Sequence, residues 1–370
     1  MGVRRFLLVC LLAPAAAAEE INIFAPPHAR LAEPRSNVKA FPIGKPVAIP
    51  TPLGLPPVPI PADNPPTAET IALGRKLFNE KFFSRDNTIA CASCHDPKTG
   101  FSDPHQFSAG VNRQLGGRHS MSLLNAAYHF TQFWDGRALS LEHQAEFPVR
   151  DPKEMAHSLV GVERRAAANP EYVRLFTQAF GPGPITYDMV AKSLASYERT
   201  LLSGNSAFDR YYYGGDKTAM SASAIRGLEL FKDFTLDGPN CISCHRIEDK
   251  FATFTEPRFH NTGVSVDPAT NEMRDLGRFE VTGDKKDQGA FKVLTLRNVA
   301  LTAPYMHDGS MKTLEEVVDF YFEGGRKNPY LSGVVPHHGV PNIPVAKRGE
   351  ARADLVAFMK ALTGDMPTNK

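Results

Sequence analysis

Cys91-Ala92-Ser93-Cys94-His95 and, 150 residues further on, Cys241-Ile242-Ser243-Cys244-His245 are the stretches on which the reading of this chain turns. Both follow one order: cysteine, two spacers, cysteine, histidine. Two thioether bonds to the vinyl groups of a porphyrin and one axial imidazole need that order, which marks covalent attachment of a c-type haem. Of the five cysteines, four lie in these motifs. Four cysteines in an exported protein would ordinarily suggest two disulfides, and paired Cys-x-x-Cys elements also bind zinc. Neither explains why a histidine follows each pair directly, so two covalently bound haems are expected.

The fifth cysteine, Cys10, sits in a leader. Arg4 and Arg5 precede an apolar run from Phe6 to Leu12, then Ala13-Pro14 and four alanines. A basic start, a short greasy centre and small residues before a cleavage point describe a secretory signal peptide, expected over 1–18. The run is too short to span a bilayer, which needs about 20 residues. No later stretch qualifies, so a periplasmic protein without a membrane span is expected. Removing the two leader arginines from 42 basic residues leaves 40 against 40 acidic ones. That balance gives no reason to expect nucleic acid as a partner.

Residues 19–66 are rich in proline and include the run Pro56-Pro57-Val58-Pro59-Ile60-Pro61. Proline fixes φ and removes a donor, so an extended segment is expected there, either mobile or draped over the body. Beyond it runs a weak internal repeat. Thr67 to Phe78 precedes the first motif and Ser223 to Phe231 the second; each has a capping-type start and ends Gly-x-x-Leu-Phe. The chain therefore reads as mainly α, two cytochrome c-like haem domains in tandem, over 67–216 and 217–370.

Each haem receives one histidine, His95 or His245, and the sixth position decides the chemistry. Two strong protein ligands favour electron transfer, whereas an open position admits peroxide. Thr313 and Glu316 form a capping box, and Leu314, Val317, Val318 and Tyr321 then share one helical face. Tyr321 thus points inward, as a core residue or as a ligand; Met306 and Met311 are rival ligands. The one tryptophan, Trp134, lies between the motifs in Phe133-Trp134-Asp135-Gly136-Arg137, followed by Gln144, Pro148 and Glu154. Gln144 and Glu154 read as exposed helix residues, unless they face an open haem and assist O–O cleavage.

These residues resemble the bacterial di-haem cytochrome c peroxidase and MauG family. The similarity runs from about residue 55 to 363 and includes Phe133 to Ala138 and Leu296-Arg297-Asn298-Val299-Ala300-Leu301-Thr302-Ala303-Pro304-Tyr305-Met306-His307-Asp308-Gly309. The resemblance implies that His95 is the proximal ligand of a peroxidatic haem and His245 that of an electron-transfer haem. Trp134 matches the tryptophan between the haems. Gln144, Pro148 and Glu154 match the distal pocket. Tyr321 matches MauG, where the ordinary peroxidases carry methionine; a phenolate favours ferric iron. Val111 falls where many relatives hold a displaceable histidine, which implies a permanently open first haem.

Two positions depart from that pattern. Pro239 stands where MauG has a surface tryptophan facing its protein substrate. The resemblance also implies calcium between the haems, with Thr302 and Pro304 as carbonyl donors, but the asparagine of that site falls at His119. Imidazole is a poor ligand for a hard cation. The implied activity is reduction of hydrogen peroxide with electrons from a small cytochrome c or cupredoxin. The alternatives are peroxide-dependent oxidation of an exported protein substrate, as in MauG, and a di-haem electron carrier without catalysis.

Overall fold

The computed structural model describes residues 39–233, 235, 239–337 and 343–367. The leader at 1–18 and the start of the proline-rich segment lie outside them. Two hydrophobic cores organise the described chain, one built from Ala40 to Leu201 and the other from Phe208 to Leu362. The architecture is mainly helical; the two strands β1 (Phe259–His260) and β2 (Phe291–Lys292) form one short antiparallel ladder. No helix among the described residues is long and apolar enough to cross a membrane.

In the first core, α1 (Ala68–Phe78) starts at Thr67, whose hydroxyl forms a reciprocal capping box with Thr70. The helices α2 (Leu141–Gln144), α3 (Glu146–Arg150), α4 (Leu159–Ala167), α5 (Pro170–Phe180) and α6 (Tyr187–Glu198) follow. Gly74 explains the crossing of α1 and α6: a Cβ there would lie 1.9 Å from the Ser193 carbonyl oxygen. The second core repeats this with α7 (Ala207–Tyr212), α8 (Ala222–Lys232), α9 (Phe279–Thr282), α10 (Leu314–Phe322), α11 (Val334–His337) and α12 (Val345–Lys360). Gly227 of α8 meets α12 in the same way, its Cβ position 2.0 Å from Asp354 O. The Gly-x-x-Leu-Phe repeat is therefore a helix-crossing device. The cap of α8 is Ser221, two residues before the expected start, and Ser223 instead donates to Asp354.

A second repeat, unread in the sequence, follows each cysteine motif. Asn125 and Asn298, 173 residues apart, both adopt left-handed backbone (φ 64° and 61°) ahead of a single 3-10 turn. Antiparallel bridges then join Gln132 to Ala138 and Tyr305 to Met311. Ser140 and Thr313 cap the next helices, α2 and α10. One offset relates all these pairs, and carried into the helices it sets Pro148 opposite Tyr321. Lacking an N–H, Pro148 cannot bond Gln144 O, and the helix is interrupted between α2 and α3, whereas α10 is continuous.

The described part of the proline-rich segment drapes over the body. Val47 N–H donates to Pro66 O, Ile43 N–H to Ala179 O and Tyr128 Oη to Pro56 O. Gly54 O accepts from Arg297, which is also paired with Asp209 in the second core.

Candidate functional site

Each cysteine motif closes into a 3-10 turn. Cys94 N–H and His95 N–H both donate to Cys91 O, at 3.2 and 3.1 Å. Cys244 and His245 do the same to Cys241 O, at 3.3 and 3.0 Å. All four thiols are free, and burial drives each upward, Cys94 to about 11 and Cys241 to about 12. Neither pair is joined by a disulfide.

What aims the histidines was not read from the sequence. His95 Nδ1 lies 3.0 Å from Phe101 O, and His245 Nδ1 lies 2.9 Å from Phe254 O. A carbonyl only accepts, so Nδ1 carries the proton in each ring and Nε2 keeps its lone pair for a metal. Both phenylalanines are buried and hold φ in the left-handed region, 57° and 51°. That conformation costs about 1–2 kcal/mol outside glycine, and the packed rings hold it: Phe101 against Phe78, Phe254 against Phe208, Phe231 and Phe358. Burial also lowers both imidazoles, keeping them neutral and fit to ligate.

Around the second motif lies a cavity of about 300 Å³. Cys241, Cys244 and His245 line it, and so does the whole predicted face of α10, Leu314, Val317, Val318 and Tyr321. Burial raises the Tyr321 hydroxyl, with Cys244 and Cys241 close enough to add to the shift. No protein hydrogen bond to this hydroxyl is formed among the described residues. Met306 lines the same cavity, while Met311 does not and pairs with Tyr305 instead. The free thiol pair, the imidazole with Nε2 open and the buried phenol fit a c-type haem. They do not make a four-cysteine zinc site: Cys244, Glu256 and His260 offer three ligating atoms within 4.8 Å of one another, but this cluster takes only one cysteine.

On the first motif's side, Glu154 sits in the turn after α3, half-buried rather than on an exposed helix. Burial and then the neighbouring Asp151 raise its carboxyl to about 7, with Arg137 opposing. Its charge is felt at both Cys91 and Cys94. The segment is tied to Pro148 by Met155 N–H···O=C Pro148 at 3.1 Å, and Val111 N–H donates to Glu154 O at 2.8 Å. Gln144, half-buried at the end of α2, and Glu154 have side chains with no hydrogen bond among the described residues. Val111 is buried and has no ligating atom; the nearest histidine of its loop, His105, is 80 % exposed and bonded to Asp103.

Between the motifs, Trp134 Nε1–H donates to His119 O at 2.8 Å, and its ring meets His307 edge-on, with centroids 6.3 Å apart. His307, at the position equivalent to Trp134 in the 173-residue repeat, stacks on Phe291 at 3.7 Å. Burial lowers His307 to about 4, so this contact is neutral.

The calcium expectation meets an unsuitable donor set. His119 Nδ1 lies 3.1 and 3.3 Å from the carbonyl oxygens of His105 and Gln106, and Nε2 is 3.3 Å from Ser102 Oγ. The Thr302 carbonyl also borders this ring. Calcium takes six to eight oxygens; here a ring N–H satisfies the carbonyls instead. Thr302 and Pro304 line the cavity beside it, but the residues present do not fit the ion.

Comparison with known proteins agrees with this geometry. A family described as di-haem cytochrome c peroxidase matches residues 68–218. The chain is 38 % identical over 309 residues to methylamine utilization protein MauG of Methylorubrum extorquens, covering 83 % of this chain and 82 % of the relative. It is 34 % identical over 312 residues to cytochrome c551 peroxidase of Nitrosomonas europaea, covering 84 % and 85 %. A solved MauG-like protein associated with microbial copper homeostasis superposes with TM-score 0.72 at 33 % identity, over 85 % of this chain and 95 % of that one. Two thiol–imidazole sockets on a repeated helical scaffold, and relatives matched over most of their length, lead to one assignment: the chain belongs to the di-haem cytochrome c peroxidase family, a peroxidase-type oxidoreductase with two c-type haems.

Proposed function

We propose that the chain is a periplasmic peroxidase that reduces hydrogen peroxide with electrons from a small cytochrome c or cupredoxin. In this reading residues 67–216 and 217–370 are the two haem-bearing domains. His95 would hold the peroxidatic haem without a second protein ligand, whereas His245 and Tyr321 would together hold the electron-transfer haem. The bound haems supply the peroxide-binding iron and the redox store. The chain's own residues orient the peroxide and move its protons. Glu154, near half-protonated at neutral pH, accepts a proton from the incoming peroxide and returns it to the departing oxygen. Gln144 offers amide donors to the same oxygens. Trp134, fixed by its bond to His119, stands as the aromatic contact between the two sites.

The observation that carries this reading is the register of the 173-residue repeat. It sets Tyr321, a phenol in the second cavity, opposite Pro148, a residue with no side-chain donor atom. One scaffold thus supports a closed second haem and an open first one. A second reading, peroxide-dependent oxidation of an exported partner protein, draws support from Tyr321 and from the MauG-named relative. Pro239 weakens it, because the tryptophan exit is missing.

Electron paramagnetic resonance of the ferric holoprotein, before and after one equivalent of peroxide, tests the proposal. One high-spin and one low-spin haem, both changed by peroxide without prior reduction, are expected. Two low-spin haems that ignore peroxide until half-reduced would mean a closed resting site, and no response even then would leave an electron carrier.

A further inference from the structure

Lys292 is the second residue of β2, 6 % exposed, and lines the cavity of Cys241, Cys244 and His245. Its ammonium has three N–H donors but one protein acceptor, Thr131 O at 2.7 Å. Asp135 is the carboxylate whose charge reaches it, yet Asp135 is already bound by Arg118 and Arg137. No ion pair to Lys292 forms among the described residues. A buried ammonium without a counter-ion is unfavourable, and burial lowers this one to about 7.

His129 lines the same cavity, with both ring nitrogens buried and without a hydrogen bond. Gln132 lies beside it but outside hydrogen-bonding geometry. The other basic groups around the cavity are committed. Arg297 is spent on Asp209, Gly54 O and Ala252 O, His260 on Glu256 and His307 on Ser265. Lys292 thus has two N–H donors to spare beyond its bond to Thr131 O, and His129 has no protein partner at either nitrogen. They call for an anion that arrives with the cavity's occupant, and a c-type haem brings two carboxylates.

We propose that Lys292 and His129 form the carboxylate-binding end of the second cavity, the Lys292 ammonium pairing with a haem propionate and a His129 ring N–H donating to it. This rests on the second motif holding haem. Lys292 N–H donates to Trp134 O at 2.8 Å, so the ion pair lies against the segment that joins the two sites. A cation at the macrocycle edge disfavours the more positive oxidised state, and its loss moves the potential of that haem downward.

The test uses the holoprotein with Lys292→Met, Lys292→Arg and His129→Leu. The pyridine haemochrome assay counts the covalently attached haems in each variant. Fewer than two haems in the wild type would overturn the underlying reading and the proposal with it. With two haems bound, Lys292→Met is expected to shift the propionate-bending band of the second haem in resonance Raman. It should also move that haem's midpoint to more negative potential while leaving the first unchanged; Lys292→Arg should restore both. An unshifted band and an unchanged midpoint overturn the proposal. Should Lys292→Met not load two haems, His129→Leu decides by the same band: a shift supports the pair and no shift overturns it.

Discussion

At the scale of single residues, the two halves differ at one equivalent position, Pro148 in the first and Tyr321 in the second. Tyr321 has a buried hydroxyl with no protein partner, facing Cys241 and Cys244. Replacing it by Phe should abolish the low-spin signal of the second haem alone; a signal that persists unchanged would show that another residue, Met306 first, is the ligand. Glu154 gives a pH signature. Its carboxyl is raised to about 7, so the rate of reaction with peroxide should rise as pH passes through 7 and then level off. Glu154→Gln should flatten the profile and slow the reaction by about 10²- to 10⁴-fold. The stability effect has the opposite sense. Because the folded state holds the proton more tightly than the unfolded chain, Glu154 destabilises once pH exceeds its unfolded value near 4.5, fully so above about 7. Glu154→Gln should therefore raise Tm at pH 8 and leave it unchanged near pH 4. His119 supplies a third test. Chelation with EGTA should leave both haem spectra as they were, since the ring N–H at Nδ1 already serves the carbonyls of His105 and Gln106. A spectral change reversed by added calcium would show that the ion binds there after all.

At the scale of elements, the helix crossings at Gly74 and Gly227 set the frame on which the motifs sit. Alanine is the better helix former by about 1 kcal/mol, so a glycine without close neighbours would gain from the exchange. Here the added Cβ would meet a backbone carbonyl of the crossing helix at 1.9 or 2.0 Å. Overpacking of that kind costs about 1–3 kcal/mol and should win, so Gly74→Ala and Gly227→Ala should each lower Tm in thermal denaturation. This repeat was legible because glycine, leucine and phenylalanine recur at one spacing close to each motif. So was the inward face of α10, because a capping box and an i, i+3, i+4, i+7 pattern specify a helix start and a face. The second repeat was not legible. Residues 246–297 outnumber 96–124, and the added chain carries β1, α9 and β2, so the offset between halves changes partway along. Phe101 and Phe254 were missed for a related reason. Their roles belong to a backbone carbonyl and a left-handed φ, which no side-chain pattern announces, and they lie six and nine residues from their histidines. Lys292 carries no motif of its own, and only the fold shows that it is buried.

At the scale of the whole molecule, several polar ties join stretches distant in sequence. Arg118 reaches Asp275 through both Nε and Nη2, and Glu280 as well. Gln106 donates to Asp308 O. Arg297 and Asp209 form a fully buried bidentate pair that also gathers Gly54 O and Ala252 O. Removing one partner of such a pair leaves an uncompensated charge, at about 3–5 kcal/mol. Asp209→Asn should therefore shift the denaturation midpoint strongly, and with one transition rather than two, because the pair links the proline-rich segment to the second core. Asn125 and Asn298 converge on Ser203. Asn125 bonds its backbone N–H and carbonyl, and Asn298 accepts from its hydroxyl.

Pro148 and Tyr321 occupy one rung of a scaffold that the chain uses twice. At this rung Pro148 offers no side-chain heteroatom, whereas Tyr321 offers a phenol oxygen. The shared ladder of asparagines, bridges and caps holds both backbones alike, so what the two halves can offer a ligand here differs by one side chain.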